Sequence, residues 1–312
     1  MSHILALSGG VGGAKLCAGL ADVLPPGRLT IAVNTGDDFE HLGLTICPDI
    51  DSVVYALAGL NDTARGWGVA EETWQAMAML RRLGQPDWFN LGDRDMATHI
   101  ARSHLLRQGL SLSAVTAQLV AALGIAHIVT PMSDAPVRTQ VQTDVGWTDF
   151  QQWFVGQQCG PAVRSIRFAG LPAQPSQALA EALARPDLGA VVIAPSNPFV
   201  SVDPILALDG VRDALAARRV PVIAVSPLVG GQAIKGPLAK MLAEQGHARN
   251  NLSIADHYPG LIDHLLIDEA DAGDAHDLRA RGIAVTVSAT VMRSAEDRRR
   301  LAREALSSAG IL

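Results

Sequence analysis

Short, mainly apolar, strand-like runs recur along the chain at Ile4–Leu7, Leu29–Val33, Ile128–Thr130, Val191–Ala194, Val220–Val225, Leu265–Ile267 and Ile283–Val287. They are too short for helices and lack the in-out alternation of a half-exposed strand, so they read as strands buried on both faces. Helical periodicity fills many of the gaps, at Ala14–Leu24, Gln177–Ala184, Val211–Ala217, Pro237–Gln245 and Ala295–Ser307. Strands alternating with helices predict an α/β fold, a mostly parallel sheet with helices on both faces. The pattern turns mainly helical between Asp49 and Leu123, with apolar positions spaced for helices in Trp74–Leu83, Ala97–Leu106 and Ser113–Leu123. We therefore expect one domain over 1–312, with a helical insertion at 49–125. Val137 to Thr143 alternates instead, and Trp147, Phe150, Trp153 and Phe154 follow, so 137–170 should hold a small antiparallel hairpin under an aromatic cover.

The first apolar run breaks into Gly9-Gly10-Val11-Gly12-Gly13-Ala14-Lys15 before an apolar helical stretch. Four glycines in five positions clear away side chains and let backbone N–H groups converge at a helix N-terminus, where the dipole favours an anion. A phosphate cradle is the reading that follows; the competing one is a tight, empty turn. The loop is not a P-loop, because Leu16 follows Lys15 where a Ser or Thr would be needed. It is not the dinucleotide fingerprint either, because Lys15 stands at the third glycine's place.

Composition narrows the partners. The chain has 48% hydrophobic residues and a net charge of −6, with no basic stripe, which argues for a globular protein and against nucleic acid. The basic cluster at Arg293 to Arg303 is interleaved with acids and reads as a solvated helix face. Three scattered cysteines suit a reducing cytoplasm, and no apolar run is long enough for a membrane span. The N-terminus runs straight into a strand and does not read as a signal peptide.

Ligands of open α/β sheets bind beyond the strand C-termini. Strand two ends in Asn34-Thr35-Gly36-Asp37-Asp38, and the strands ending at Ala194 and Val225 lead into Ser196-Asn197-Pro198 and Ser226-Pro227. Asp37, Asp38, Asp49 and Asp51 could meet at the loop mouth and hold Mg²⁺, which takes one or two carboxylates together with phosphate oxygens. Taken singly, Asp37 could instead close a turn, and Asp49 is the better candidate for a helix cap. In Gly92-Asp93-Arg94-Asp95, Arg94 could fork onto a phosphate or carboxylate, or Asp93 could simply cap the next helix. His99 and His104 lack a metal spacing and read as surface or packing residues. Lys235, in a second flexible basic loop, could touch phosphate or form ordinary turn chemistry. No nucleophile triad is present, so the chemistry expected is positioning and charge neutralisation.

Together these strings, with Cys47-Pro48-Asp49-Ile50-Asp51, Gly66-Trp67-Gly68 and Pro131-Met132-Ser133-Asp134, resemble the 2-phospho-L-lactate transferase (CofD) family of coenzyme F420 biosynthesis over essentially the whole chain. The resemblance implies a Rossmann-like, Mg²⁺-dependent, usually dimeric transferase of a substituted phosphate group. Its substrates would be the deazaflavin Fo and a GDP-linked three-carbon acid: phospholactate, or a phosphoenolpyruvyl or phosphoglyceryl analogue. A ribityl hydroxyl of Fo would attack phosphorus, GMP would leave, and F420-0 or its dehydro or glyceryl analogue would form. By motif, Asp37 and Asp51 would hold Mg²⁺ or orient the hydroxyl. Gly9, Gly10, Val11, Gly12, Gly13 and Lys15 would hold the diphosphate. Ser196, Asn197, Ser226 and Lys235 would lie on the phosphate and guanosine side. Asp51, Trp67, Trp88, Asp93 and Arg94 would line the Fo side. A related sugar-nucleotide-binding branch, resembling a gluconeogenesis factor and not enzymatic, tends to follow the acid pair with Gly-Gly-Ser-Ser-Gly. Here Phe39-Glu40-His41-Leu42-Gly43 stands there, which favours the transferase.

Overall fold

A computed structural model describes residues 2–312. Seven parallel strands form the central sheet: β1 (His3–Ser8), β2 (Leu29–Val33), β3 (Ile128–Pro131), β4 (Leu188–Ile193), β5 (Val222–Val225), β6 (His264–Asp268) and β7 (Ala284–Ser288). Their spatial order is β7-β6-β5-β4-β1-β2-β3. The chain winds outward from β1 to β3, returns to β4 on the other side of β1, and winds outward again. This is the doubly wound, Rossmann-like order, with its topological switch between β1 and β4.

The inner strands are mainly apolar because both faces of the sheet are covered there. Ile4 and Ala6 pack in one core layer with Ile31, Val33 and Val192. Leu5 and Leu7 pack in the other with Ala32, Val191 and Ile193. The first layer is roofed by α1 (Gly10–Val23), α2 (Pro48–Leu57) and the C-terminal helix Ala295–Ser308, with α1 packed closely against each of the other two. The second is roofed by the helices of the C-terminal half, including Gln177–Ala184 and Leu238–Glu244. Between β2 and β3, α2 is followed by α3 (Gln75–Arg82), α4 (Asp93–Arg107) and α5 (Leu112–Ala122).

Three local features differ from the sequence pattern. Helix α1 begins at Gly10, not Ala14, so the glycines form its first turn; their poor helix propensity hides this. The hairpin Arg138–Thr143 with Gly146–Asp149 gains a third strand, Ser165–Ala169. Its aromatic cover is largely core, since Phe150 and Trp153 are buried. A small hairpin, Phe39–His41 with Leu44–Ile46, follows β2 and went unread because each arm is only three residues long.

Candidate active site

The switch between β1 and β4 brings their C-terminal ends together. The Ser196 hydroxyl accepts the Gly9 N–H at 3.1 Å and donates to the Gly9 carbonyl at 2.8 Å, pinning the glycine turn to the β4 end. Packing accounts for three of the glycines. A Cβ at Gly9 would fall 2.6 Å from an Asp49 oxygen, at Gly12 2.6 Å from the Pro195 carbonyl, and at Gly13 2.5 Å from the Ser8 hydroxyl. Gly10 is different: it has φ +65° and nothing within 4 Å of its Cβ position. The α1 N-terminus therefore opens to space at this glycine, and its first-turn amides lack intrahelical acceptors.

Beside this opening lies a buried set of carboxylates. Asp49 accepts the Gly10 N–H at 2.7 Å. The Asn34 amide, at the end of β2, donates to Asp49 at 2.9 Å and to Asp37 at 3.2 Å, and Gln151 reaches Asp37 at 3.3 Å. Burial, then repulsion from Asp49, holds the Asp37 carboxyl well above the usual carboxylate range. Burial likewise pushes Asp49 up to about 6 and Asp38 up to about 7. Both Asp38 oxygens are buried without a hydrogen-bond partner among the described residues. Asp49 is thus not the helix cap its position suggests; it ties α2 to the glycine turn. Among the described residues no three His, Cys, Asp or Glu side chains are arranged around one metal position. The set suits a divalent cation that takes two carboxylates and completes its shell with water and phosphate.

Asp51 faces elsewhere. It receives both arms of the buried Arg102 guanidinium, one at 3.0 Å, and His99 Nδ1 lies 3.6 Å away. Arg102 also donates to His99 Nδ1 at 3.2 Å, which leaves the His99 Nε2–H facing Asp95 at 3.3 Å. The Tyr55 hydroxyl donates to the same Asp95 oxygen at 2.7 Å. Burial would raise Asp95, but His99, Tyr55 and Arg102 outweigh it and bring its pKa below the ordinary value. Asp51, Tyr55, Asp95 and His99, with Ser52 and Asn90, line the polar side of a cavity of about 90 Å³, and Ile46, Trp67 and Phe89 are among its apolar wall. His99 is therefore neither a surface nor a plain packing residue.

The chain as a whole has relatives among known proteins. The family described as 2-phospho-L-lactate transferase CofD matches residues 4–306. The chain belongs to the CofD family. A phosphoenolpyruvate transferase of Kitasatospora aureofaciens is 40% identical over 98% of this chain and 97% of its own. A 2-phospho-L-lactate transferase of Methanococcoides burtonii is 38% identical over 97% of this chain and 98% of its own. A crystal structure of a UPF0052-family protein from Bacillus halodurans superposes with a TM-score of 0.65, covering 98% of this chain and all of that one, at 16% identity. That likeness shows the shared fold.

The remaining CofD-family motif residues divide between the opening and other work. Lys15 donates to the Met292 carbonyl at 2.9 Å, and burial, then the charges of Lys235 and Arg298, lowers its pKa. Lys235 donates to the Arg65 carbonyl at 3.1 Å, joining the loop after β5 to the insertion. The Arg65 guanidinium in turn lies against Trp67 and Trp74. Asn197 accepts the Phe199 N–H and Ser226 that of Leu228, so both side chains shape their own turns. Asp93 caps α3, accepting the Gln75 and Ala76 N–H groups at 3.0 Å each, so its carboxylate is occupied in holding the fold. Exposed Arg94 donates to the Ala70 carbonyl at 2.7 Å and sits 3.6 Å from Glu71. Trp88 packs with Phe39, His41 and Phe89, and Phe89 reaches the cavity in its place. Asp37 shares the Asn34 amide with Asp49, whereas Asp51 is paired with Arg102. Gln151, Tyr55 and Arg102 lie outside every motif string, and Asn34, although it opens the string at the end of β2, has its role only through its contacts with Asp37 and Asp49. The spacing of Asp95, His99 and Arg102 along one face of α4 is the signal that could have found that group.

Proposed function

We propose that the protein transfers the phosphate-linked three-carbon acid of a GDP-activated donor to a ribityl hydroxyl of the deazaflavin Fo, releasing GMP. One observation carries this reading. Asp49 and Asp51 lie two residues apart on the first turn of α2, and side chains at that spacing diverge on a helix. Asp49 turns to the glycine opening and Asp51 to the cavity, so one helix turn would form the wall between two sites. A group-transfer enzyme needs such adjacency, with the reacting atoms of two bound molecules brought together.

The donor diphosphate would sit at the α1 N-terminus, where the Gly10 opening admits it and the amides and dipole face it. Asp37 and Asp49 would hold Mg²⁺; this choice rests on their convergence on Asn34 and on the unrelieved repulsion in that cluster. When bound, Mg²⁺ supplies positive charge to the phosphate oxygens and to the departing GMP. On the other side Asp51 would accept a hydrogen bond from the attacking hydroxyl, with Trp67 and Phe89 as walls for the flat ring. No side chain becomes covalently attached, and catalysis is positioning plus charge neutralisation.

The relatives named for phosphoenolpyruvate and for 2-phospho-L-lactate are almost equally similar, so the donor acid is assigned by assay. The protein is incubated with Fo, Mg²⁺ and guanylylated phospholactate, phosphoenolpyruvate or phosphoglycerate in turn. Mass spectrometry should find GMP and one deazaflavin phosphodiester; no product with any donor rejects the reading. A homodimer follows from the family resemblance and is checked by mass in solution. A cytoplasmic site fits the three free cysteines. Among the described residues no helix is long and apolar enough to cross a membrane.

A further inference from the structure

We propose that Arg102 is a positioning residue for transfer, fixing the Asp51 carboxylate at the edge of the acceptor cavity; this rests on the transferase reading above. Arg102 is completely buried, and both arms of its guanidinium are on Asp51. It does not line the cavity, so its reach to any ligand runs through Asp51. The same Nη1 holds His99 Nδ1 at 3.2 Å, and His99 bridges towards Asp95, which Tyr55 fixes from the far side. The carboxylate beside the cavity is thus set from behind by the Arg102 fork, with His99 held on Arg102 and its Nε2 lying 3.3 Å from Asp95.

The helix carrying these groups is built unusually. Helix α4 buries Asp95, His99, Arg102 and Ser103, while Ile100 is 51% exposed. Burying a guanidinium–carboxylate pair is no better for stability than well-packed apolar side chains of similar volume. Stability alone therefore does not account for this inward-facing charge. A carboxylate held by two fixed donors, bordering a cavity large enough for a ligand atom group, does account for it. The bidentate fork also explains why arginine stands there, since lysine offers a point charge without the planar pair of donors.

A double-mutant cycle tests this, using Arg102→Met, Asp51→Asn and the pair together, with Arg102→Lys as the conservative variant. Fo affinity is read by fluorescence titration, GDP affinity by calorimetry and turnover by GMP release. We expect Arg102→Met to lower turnover and weaken Fo binding by about tenfold or more, while GDP affinity stays within about twofold. In the Asp51→Asn background the same substitution should add little, and Arg102→Lys should restore part of the loss. The paired variant removes both charges, so it should stay folded even where Arg102→Met does not. Equal losses in both backgrounds, or normal Fo affinity and turnover in a less stable Arg102→Met protein, would overturn the proposal. Wild-type protein that turns over while the cycle is additive overturns this inference alone. Wild-type protein that neither binds Fo nor turns over overturns the transferase reading along with it.

Discussion

At Gly10 two requirements meet in one residue: a left-handed backbone and an unobstructed approach to the α1 N-terminus. Gly10→Ala should cost only about 1 kcal/mol of stability, the strain of an L-residue at positive φ, yet weaken GDP binding strongly. Gly12→Ala should do more harm to the fold, because its Cβ meets the Pro195 carbonyl at 2.6 Å. Thermal melts and GDP calorimetry on the two variants separate these effects; a Gly10→Ala protein with wild-type GDP affinity would remove the glycine opening from the site. The acid cluster should make stability depend on pH. Asp49 and Asp38 are raised by burial to about 6 and about 7, above their values in an unfolded chain. Their contribution to stability is therefore complete below about pH 4 and is lost as the pH rises through those raised values. Mg²⁺ should offset that loss, so it should raise Tm more at pH 8 than at pH 5. Melts showing the same Mg²⁺ gain at both pH values would contradict the cation assignment.

Among the elements, α3 and α4 show how a motif can be split between scaffold and site. In Gly92-Asp93-Arg94-Asp95 the first acid caps α3 and the second turns inward to His99 and Tyr55. Asp93→Ala should lose a cap, about 1 kcal/mol, and should lower Tm with little change in Fo affinity; a large loss of Fo binding in a stable protein would return Asp93 to the acceptor side. The inner sheet strands were legible because burial on both faces leaves nearly continuous apolar runs, as in Leu29–Val33, and the half-exposed edge strand β7 was legible from Ile283, Val285 and Val287. Helix α4 was legible as a helix but not in its orientation. Apolar periodicity points Ile100 inward, whereas the helix turns Asp95, His99 and Arg102 inward because Asp51 and Tyr55 wait there on α2. A partner 51 residues away leaves no trace in local spacing. The link of Asp37 to Asp49 was hidden for a similar reason, since it depends on Asn34 reaching both and on where α2 docks against α1.

For the molecule as a whole, the sheet order places the switch between β1 and β4 under the α1 N-terminus, and the insertion then sets α2 across its mouth. Helix α1 carries the load of this arrangement, packed between α2 and the C-terminal helix. It crosses the latter at Gly19, whose missing side chain lets the Arg298 carbonyl approach. Gly19→Val should push that crossing apart and cost more than about 2 kcal/mol by overpacking and backbone displacement, lowering Tm without abolishing GDP binding in the folded fraction. The central claim is that one turn of α2 divides a phosphate site from an acceptor site, and ligand affinities of Asp49→Asn and Asp51→Asn test it most directly. GDP with Mg²⁺ is titrated by calorimetry and Fo by fluorescence. The two-sided helix predicts that Asp49→Asn weakens GDP–Mg²⁺ binding while keeping Fo affinity, and that Asp51→Asn does the reverse. If both substitutions impair both ligands equally in folded protein, or each impairs the other's ligand, the division of the site at α2 is contradicted.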